Sequence, residues 1–195
     1  TLIGNEGTTG DKVNLAANVA VSVDSGTFTV AHANTISGAT SGVVTGTITE
    51  TDITALDDLS GTGNAYTITV ATTSVNASAL NTVDGATTQA VTATAVTTIT
   101  GSAADVNTAY ASSGITGLAN EAITLTGTSV SASDLHTLDG NTSGVINANS
   151  ITTITGTASD VAAVYVGGEA GTITNLGNEA VTLSGSVSIT DANLI

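Results

Sequence analysis

The two histidines, His32 and His136, are the side chains best suited to acid–base or metal chemistry near neutral pH. Alignment of the internal repeats described below places His32 opposite Asp134, and His136 opposite Asn34 and Asn81. A catalytic or metal site built into the repeat would recur in register, and these residues do not. We therefore interpret both histidines as helix-surface residues.

Covalent catalysis finds no support in the sequence. There is no Cys, and a Ser or Thr nucleophile needs a base that is itself held by a third group, which two unmatched histidines do not supply. Nucleophile-elbow, P-loop and dinucleotide-binding patterns are also missing. The sequence predicts that the protein is not an enzyme and has no catalytic, cofactor-binding or metal-binding residues.

Calcium is the one cofactor that the carboxylates of this sequence could bind. Asp84 and Asp139 each precede a glycine, and Asp57 and Asp58 stand together before a Gly-rich stretch. Hard cations prefer such oxygen ligands, but neither the EF-hand loop nor the Gly-Gly-x-Gly-x-Asp nonapeptide is present. We interpret the Asp-Gly pairs as turns.

Two further short patterns match N-glycosylation acceptors, 76–78 (Asn-Ala-Ser) and 141–143 (Asn-Thr-Ser). Such matches are expected by chance in a chain so rich in Ser and Thr. We give them no functional weight.

Charge excludes several kinds of partner. Sixteen carboxylates against one Lys and no Arg give a net charge of -15, which repels a phosphate backbone, so we expect no nucleic-acid partner. No apolar run approaches the length of a membrane helix, so we expect no membrane insertion. With 41% hydrophobic residues and a mean hydropathy of +0.36, the chain should nevertheless fold. Aromatics are only 2% of the chain, so we expect a core of small β-branched side chains.

An internal repeat dominates the sequence. Residues 73–110 align without gaps to residues 128–165, with 20 of 38 positions identical at an offset of 55. A shorter copy covers 33–44, and another begins at Asn178 and is cut off by the end of the chain at Ile195. Together with a first residue that is not Met, this suggests a processed chain or a window on a longer array.

Helix starts are predicted by a Ser/Thr-x-x-Asp pattern, in which the hydroxyl caps a free N–H and the acid favours the positive end of the helix dipole. Apolar residues three apart follow, as at Leu80 and Val83, Leu135 and Leu138, and Val161 and Val164, which fits one short helical turn. The Asp or equivalent positions recur at 52, 79, 105, 134, 160 and 191, and each interval is taken as one coil. The pattern occurs at Thr49–Asp52, Ser102–Asp105, Ser131–Asp134, Thr157–Asp160 and Ser188–Asp191, and in part at Asn76–Ala79.

Alternation of aliphatic and hydroxyl side chains predicts strands at 66–70, 122–126 and 180–184, with Asp-Gly turns at 82–87 and 137–142. A short unit of this kind buries its apolar face only by stacking on its neighbours. We therefore predict a mainly β fold, a parallel β-solenoid with a short helical turn in each coil of about 26–31 residues. Residues 1–16 are predicted to be a cap or lead-in. Residues 17–195 are predicted to form one elongated domain with units at about 17–63, 64–118, 119–176 and, in part, 177–195.

Threonines spaced two apart resemble the outward ranks of ice-binding β-solenoids. Because coils of unequal length would stagger these ranks, we interpret them as the hydrated faces of half-buried strands. The pairs are Thr27/Thr29, Thr47/Thr49, Thr67/Thr69, Thr98/Thr100, Thr124/Thr126, Thr153/Thr155 and Thr172/Thr174.

The segments TTITGSAADVNTAY and TTITGTASDVAAVY, with NEAITL and LHTLDGNTSG, resemble the Thr-rich tandem repeats of very large cyanobacterial cell-surface and secreted proteins. The resemblance covers about 17–195 and implies export and a role in a surface layer, sheath, fibre or adhesin. We expect a non-enzymatic extracellular or cell-surface structural protein, a subunit or segment of a filament, sheath or surface layer. Its partner would be itself, through end-to-end or lateral packing, with 178–195 at the junction. Alternatives are an adhesin or viral tail-fibre binding module and an ice binder.

Overall fold

The computed structural model describes residues 18–192, in which strands and helices alternate along the chain. The predicted cap or lead-in at 1–16 lies outside the described residues. The elements are β1 (Val21–Phe28), α1 (Val30–Ala39), β2 (Val44–Ile48), α2 (Ile53–Leu56), β3 (Ala65–Thr69), β4 (Ser74–Asn76), α3 (Ala77–Ala86), β5 (Val91–Thr92), β6 (Thr98–Gly101), α4 (Ala103–Ala111), β7 (Ile115–Thr116), β8 (Ala122–Leu125), β9 (Ser129–Ser131), α5 (Ala132–Asn141), β10 (Ile146–Asn147), β11 (Thr153–Thr157), α6 (Ala158–Ala170), β12 (Ile173–Thr174), β13 (Ala180–Ser184) and α7 (Ile189–Ala192).

The strands form three parallel sheets, ordered β1-β2-β3-β5-β7, β4-β6-β8-β10-β12 and β9-β11-β13. Neighbouring helices along the chain, from α2 to α7, pack against one another. We use the term β-α unit for a helix together with the strand or strands that precede it.

The predicted mainly β solenoid is wrong, because the molecule is an α/β fold of alternating β-α units with parallel sheets. Helices α3 to α6 are 9 to 13 residues long, where a single turn was predicted. The prediction relied on local turn residues, whereas the helices are held by packing along their whole length.

The predicted coil length is also too long for most pairs of neighbouring strands. Thr27 pairs with Thr47, and Ile123 pairs with Ile146, both closer in the sequence than the prediction allows. Pairs near the end of the described chain, such as Ile146 with Ile173, do fall within the predicted range.

The Asp-Gly segments are helical, which also corrects the prediction of turns at 82–87 and 137–142. Gly85 is the penultimate residue of α3, and Gly140 has the same place in α5. The apolar stripe of α3 continues through the predicted turn as far as Ala86, which is buried. Burial of this stripe outweighs the small intrinsic cost of one helical glycine, about 1 kcal/mol.

The predicted helix starts are confirmed at Ser102 and Thr157. Each hydroxyl accepts a hydrogen bond from the backbone N–H three residues on, at Asp105 (3.1 Å) and Asp160 (3.2 Å), and donates to the carboxylate of that same residue. These reciprocal bonds fix the first turns of α4 and α6.

Other predicted starts differ in detail. Asn76 caps α3 through its side-chain oxygen, whereas Ser131 stands at the start of α5 but exchanges a hydrogen bond with Ser133 instead of capping the helix. Thr49 does not cap a helix, because Asp52 itself caps the short α2. Ser188 directly precedes α7.

The predicted core is confirmed. The apolar pairs on α3, α5 and α6 are fully buried, and strands β3 and β8 alternate buried aliphatic or aromatic residues with exposed Thr or Ala. The third predicted strand forms as β13, but its residues are mostly exposed. The two repeat copies also carry matching elements, since α3 and α5, β5 and β10, β6 and β11, and α4 and α6 start at positions that the ungapped alignment makes equivalent.

Replacement of the helical glycines tests this fold directly. We expect Gly85→Ala and Gly140→Ala each to raise the free energy of unfolding by about 0.5–1 kcal/mol, because both glycines are helical and have open space around the added methyl group. Urea denaturation followed by circular dichroism measures the change. Gly127→Ala is the matched control: it also has open space, but its φ of +85° should make the change destabilising. A loss of stability at position 85 or 140 would favour the turn and contradict the helix.

Candidate functional site

The histidines lie far apart in the fold and on the surface. His32 is exposed on α1, and His136 is exposed on α5. A shallow groove of about 500 Å³ does bring His136 together with Asp139 and with Ser159 of α6. Within residues 18–192, none of these three side chains hydrogen bonds to another.

The aspartates considered for calcium take part in separate structural contacts. The carboxylate of Asp84 accepts a hydrogen bond from the hydroxyl of Ser112 (2.7 Å) and lies against Gly114. Asp57 ends α2, and the backbone carbonyl of Asp58 accepts a hydrogen bond from the side-chain amide of Asn34 (2.8 Å). In the part of the chain that the structure describes, no three His, Asp or Glu side chains are grouped around a common metal position.

The two glycosylation patterns fall on helix ends. The side-chain oxygen of Asn76 accepts the N-cap hydrogen bonds of α3. Asn141 is the exposed last residue of α5, and its amide donates to the side-chain oxygen of Asn107 (3.0 Å). Both asparagines therefore have a structural contact.

The paired threonines are exposed or half-exposed, as predicted for hydrated faces, but Thr29, Thr49, Thr126 and Thr172 lie just outside the strands. Several of their hydroxyls donate to a backbone carbonyl of the strand paired with them in the sheet. Thr100 donates to Val75 (3.3 Å), and Thr174 donates to Ile146 (3.2 Å). Each such bond ties two neighbouring strands together.

The contact that recurs most regularly was not predicted, and we call it the hydroxyl clamp. It consists of a Thr directly after a helix, at 40, 87 or 142, whose hydroxyl donates to a backbone carbonyl in the preceding β-α unit. The acceptors are the carbonyls of Val19 (2.6 Å), Tyr66 (2.7 Å) and Glu121 (3.1 Å). The same hydroxyl oxygen accepts from the backbone N–H two residues on, at Gly42, Gln89 and Gly144. One side chain thus shapes its own turn and fixes that turn onto the unit before it.

Two of the clamps require a glycine. A Cβ added at Gly144 would lie 2.1 Å from the carbonyl oxygen of Glu121, and one added at Gly42 would lie 2.3 Å from that of Val19. No side chain fits at these distances. Only glycine therefore allows the turn to approach the backbone of the preceding unit this closely.

The clamp at Thr142 holds the backbone carbonyl of Glu121, whose side-chain carboxylate is buried. Glu121 is 2% exposed, and its oxygens accept from the hydroxyl of Tyr110 (2.6 Å) and from the backbone N–H of Ala119. Burial of the ring, and then the hydrogen bond to Glu121, raise the pKa of the Tyr110 hydroxyl well above its usual value. A buried carboxyl group needs hydrogen-bond partners, and here the Tyr110 hydroxyl and the Ala119 N–H supply them.

Tyr165, Glu179 and Gly177 repeat the arrangement of Tyr110, Glu121 and Ala119, but, among the described residues, without a hydroxyl clamp beside them, and we call this second copy the open junction. Glu179 accepts from the backbone N–H of Gly177, as Glu121 does from Ala119, but its contact with the Tyr165 hydroxyl is 3.5 Å long. Within residues 18–192, no hydroxyl clamp donates to the backbone carbonyl of Glu179. A shallow groove of about 490 Å³ opens here between Tyr165 and Leu176.

A second recurring contact links neighbouring helices through asparagine. The side-chain amide of Asn81 donates to the carbonyl of Asp105 (3.0 Å), and that of Asn107 donates to the carbonyl of Asp134 (2.8 Å). His136 lies at the repeat position of Asn81, and there the contact is missing. This substitution is the structural difference that sets His136 apart.

The clamps were missed because each joins residues 21 positions apart in the sequence, where no helical or strand periodicity operates. A usable signal was present, since the repeat keeps Tyr110 and Tyr165 and also keeps the Asn-Glu-Ala segments beginning at Asn120 and Asn178.

Loss of the Tyr110 hydroxyl should be costly. We expect Tyr110→Phe to lower the free energy of unfolding at pH 7 by about 2 kcal/mol, because Glu121 stays buried with one donor fewer. Tyr165→Phe is the matched control and should cost much less, since Glu179 is partly exposed. Equal costs for the two variants in urea denaturation would contradict the distinct role of Glu121.

The same pair predicts a pH dependence. Because folding raises the pKa of Tyr110, its contribution is complete below the unfolded pKa of about 10 and is lost as the pH rises towards the folded value. The wild-type chain should therefore lose stability above about pH 10 more steeply than Tyr110→Phe does. Parallel slopes in denaturation midpoints across this range would exclude the effect.

Restoring asparagine at position 136 should strengthen the fold. We expect His136→Asn to raise the free energy of unfolding by about 1 kcal/mol through a new hydrogen bond to the carbonyl of Asp160, the repeat counterpart of Asp105. Asn81→His should lower it by a similar amount and serves as the reciprocal control. Thermal denaturation of both variants measures the two changes; if both shift the same way, the asparagine contact is not the cause.

Comparison of the chain with protein-family models, with curated proteins and with solved structures finds no match.

Proposed function

We propose that this chain is a non-enzymatic, extracellular structural protein, a subunit or segment of a larger filament, sheath or surface layer. The observation that carries the proposal is the use of the polar groups. Hydroxyl and amide side chains repeatedly donate to the backbone of a neighbouring β-α unit, as Thr87 does to Tyr66 in the preceding unit and Asn107 does to Asp134 in the following one. These groups hold successive units together instead of converging on a pocket.

Composition supports an assembly role at the cell surface. Because the chain has no Cys, it has no disulfide that could be reduced, and one Lys with no Arg leaves a single site for trypsin-like cleavage. We infer that residues 17–195 act as one repeat domain, because the hydroxyl clamp recurs along it at Thr40, Thr87 and Thr142. No helix among the described residues is long and apolar enough to cross a bilayer.

Self-association would be opposed by charge. With a net charge of -15, two copies repel each other at low ionic strength, and salt or divalent cations screen that repulsion. Assembly by contacts between unit ends should therefore strengthen as salt is added.

Analytical ultracentrifugation and negative-stain electron microscopy test this function. We expect the purified chain to be mainly monomeric at low salt and to form elongated particles as sodium chloride is raised to physiological strength and beyond. A chelator arm and a calcium arm distinguish screening from specific ion binding. A chain that stays monomeric at every concentration and salt level would contradict a self-assembling structural role.

Binding to a flat ordered surface such as ice is a second candidate, favoured by the register of the threonines. Thr27, Thr47 and Thr67 are directly paired across β1, β2 and β3. Thr69, Thr92 and Thr116 form a similar row across β3, β5 and β7. Strands in a sheet lie about 4.8 Å apart, so each row is a regular array. Thermal hysteresis measured on the wild type and on Thr47→Lys would separate this candidate from assembly.

A further inference from the structure

We propose that the open junction, together with the apolar surface beside it, is the docking site for a further β-α unit of this same repeat, of the kind formed by residues 142–170. This inference rests on the proposed function and specifies its partner. The apolar surface, which we call the terminal face, consists of Val181, Leu183, Val187 and Ile189.

The terminal face has buried counterparts inside the molecule. The segment 178–183 repeats 120–125, and 186–188 repeats 129–131. The counterparts of the exposed residues are Leu125, which is 2% exposed, Val130 at 7%, and Ala132 at 0%.

At the terminal face the same positions are open to solvent. Leu183 is 38% exposed, Val187 is 46% exposed, and Ile189 is 85% exposed. Solvent-exposed apolar clusters of this kind mark interaction surfaces.

The interior copy shows what provides the cover. Strand β10 pairs with β8, with Ile146 opposite Ile123, and strand β11 pairs with β9, with Ile154 opposite Val130. Thr142 clamps the carbonyl of Glu121 at the same time. The cover is therefore one β-α unit that starts with a Thr-Ser-Gly turn and adds two parallel strands.

The open junction retains the features that receive this turn. Glu179 already folds back onto Gly177 in the way that Glu121 folds back onto Ala119. Strand β13 pairs with β11 and with no other strand among the described residues, so one of its edges can accept a partner. By analogy with β8 and β10, Val181 would pair with the position equivalent to Ile146. This is strand addition, in which main-chain bonds supply affinity and the alternating side chains supply specificity.

A synthetic peptide with the sequence of residues 142–157 is the direct probe. We expect it to bind the full chain in a fluorescence-polarisation assay and to protect the β13 amides from hydrogen exchange. A peptide with the Gly144→Val change is the matched control. It should bind at least 10-fold more weakly, because the corresponding Cβ in the interior copy would lie 2.1 Å from a carbonyl oxygen.

Variants of the chain locate the site. Leu183→Glu should reduce peptide binding at least 10-fold, whereas Val145→Glu should leave it unchanged. Val145 is 48% exposed, similar to the terminal face, but lies in the turn before β10. Equal effects of the two variants would indicate nonspecific apolar binding and would overturn the proposal.

Fusing the added unit to the chain removes the entropic cost of bringing two separate molecules together. In a chain whose residues 1–191 are followed by a second copy of residues 135–192, the added unit should raise hydrogen-exchange protection of the β13 amides at least 100-fold. Unchanged protection in this chain would overturn the proposal even if the peptide were merely too weak a binder.

The outcomes separate this inference from the proposed function. If the chain assembles with salt but neither the peptide nor the added unit protects β13, the docking site is wrong and assembly uses another surface. If copies associate through the terminal face and the peptide fails to displace them, the occupant is a different part of the chain. If the added unit docks but the purified chain never assembles, the site stands and the self-assembling function fails.

Discussion

The close approach of one backbone to the next, fixed by a threonine hydroxyl, is the contact on which the arrangement of units depends. A carbonyl buried at such a contact without a partner would cost about 1–3 kcal/mol. The hydroxyl of Thr142 removes that cost at Glu121, and Gly144 allows the separation to be short enough. The clamp therefore fixes the distance between two units and the register of their strands together.

The interior is built mainly from aliphatic side chains, as the composition requires. Val, Ile, Leu and Ala make up most of the buried residues, and within residues 18–192 the one ring–ring contact is the edge-to-face pair of Phe28 and Tyr66. Tyr66 lies where the next copy has Glu121, and Thr87 clamps its carbonyl in the same way. The clamp acts on the backbone, so an aromatic residue in one copy and a carboxylate in another can occupy the same position.

Local signals in the sequence predict the structure correctly where they act within one turn, and wrongly where packing overrides them. The caps at Ser102 and Thr157 and the strand at 66–70 follow from hydrogen bonds and alternation over a few residues. The prediction of turns at the Asp-Gly pairs is wrong because the apolar stripe of α3 extends the helix past Gly85. That error shortened the predicted helices and produced a mainly β fold in place of an α/β one. The clamps and the Asn81 contact join separate units, and single-sequence periodicity carries no information at that distance.

Stability in such an arrangement is set between neighbours, so it must vary along the chain. An interior unit such as β8–α5 is packed against the unit before it and the unit after it. The Tyr110 hydroxyl donates to the carboxylate of Glu121, next to β8, over 2.6 Å. The unit containing β13 has only one such neighbour among the described residues, and its Tyr165 contact lengthens to 3.5 Å. Local opening should therefore begin at this unit. The features that lower its local stability, an unpaired strand edge and exposed aliphatic side chains, are the same ones that the proposed docking of a further unit would use. In that proposal, low local stability and assembly have the same physical origin.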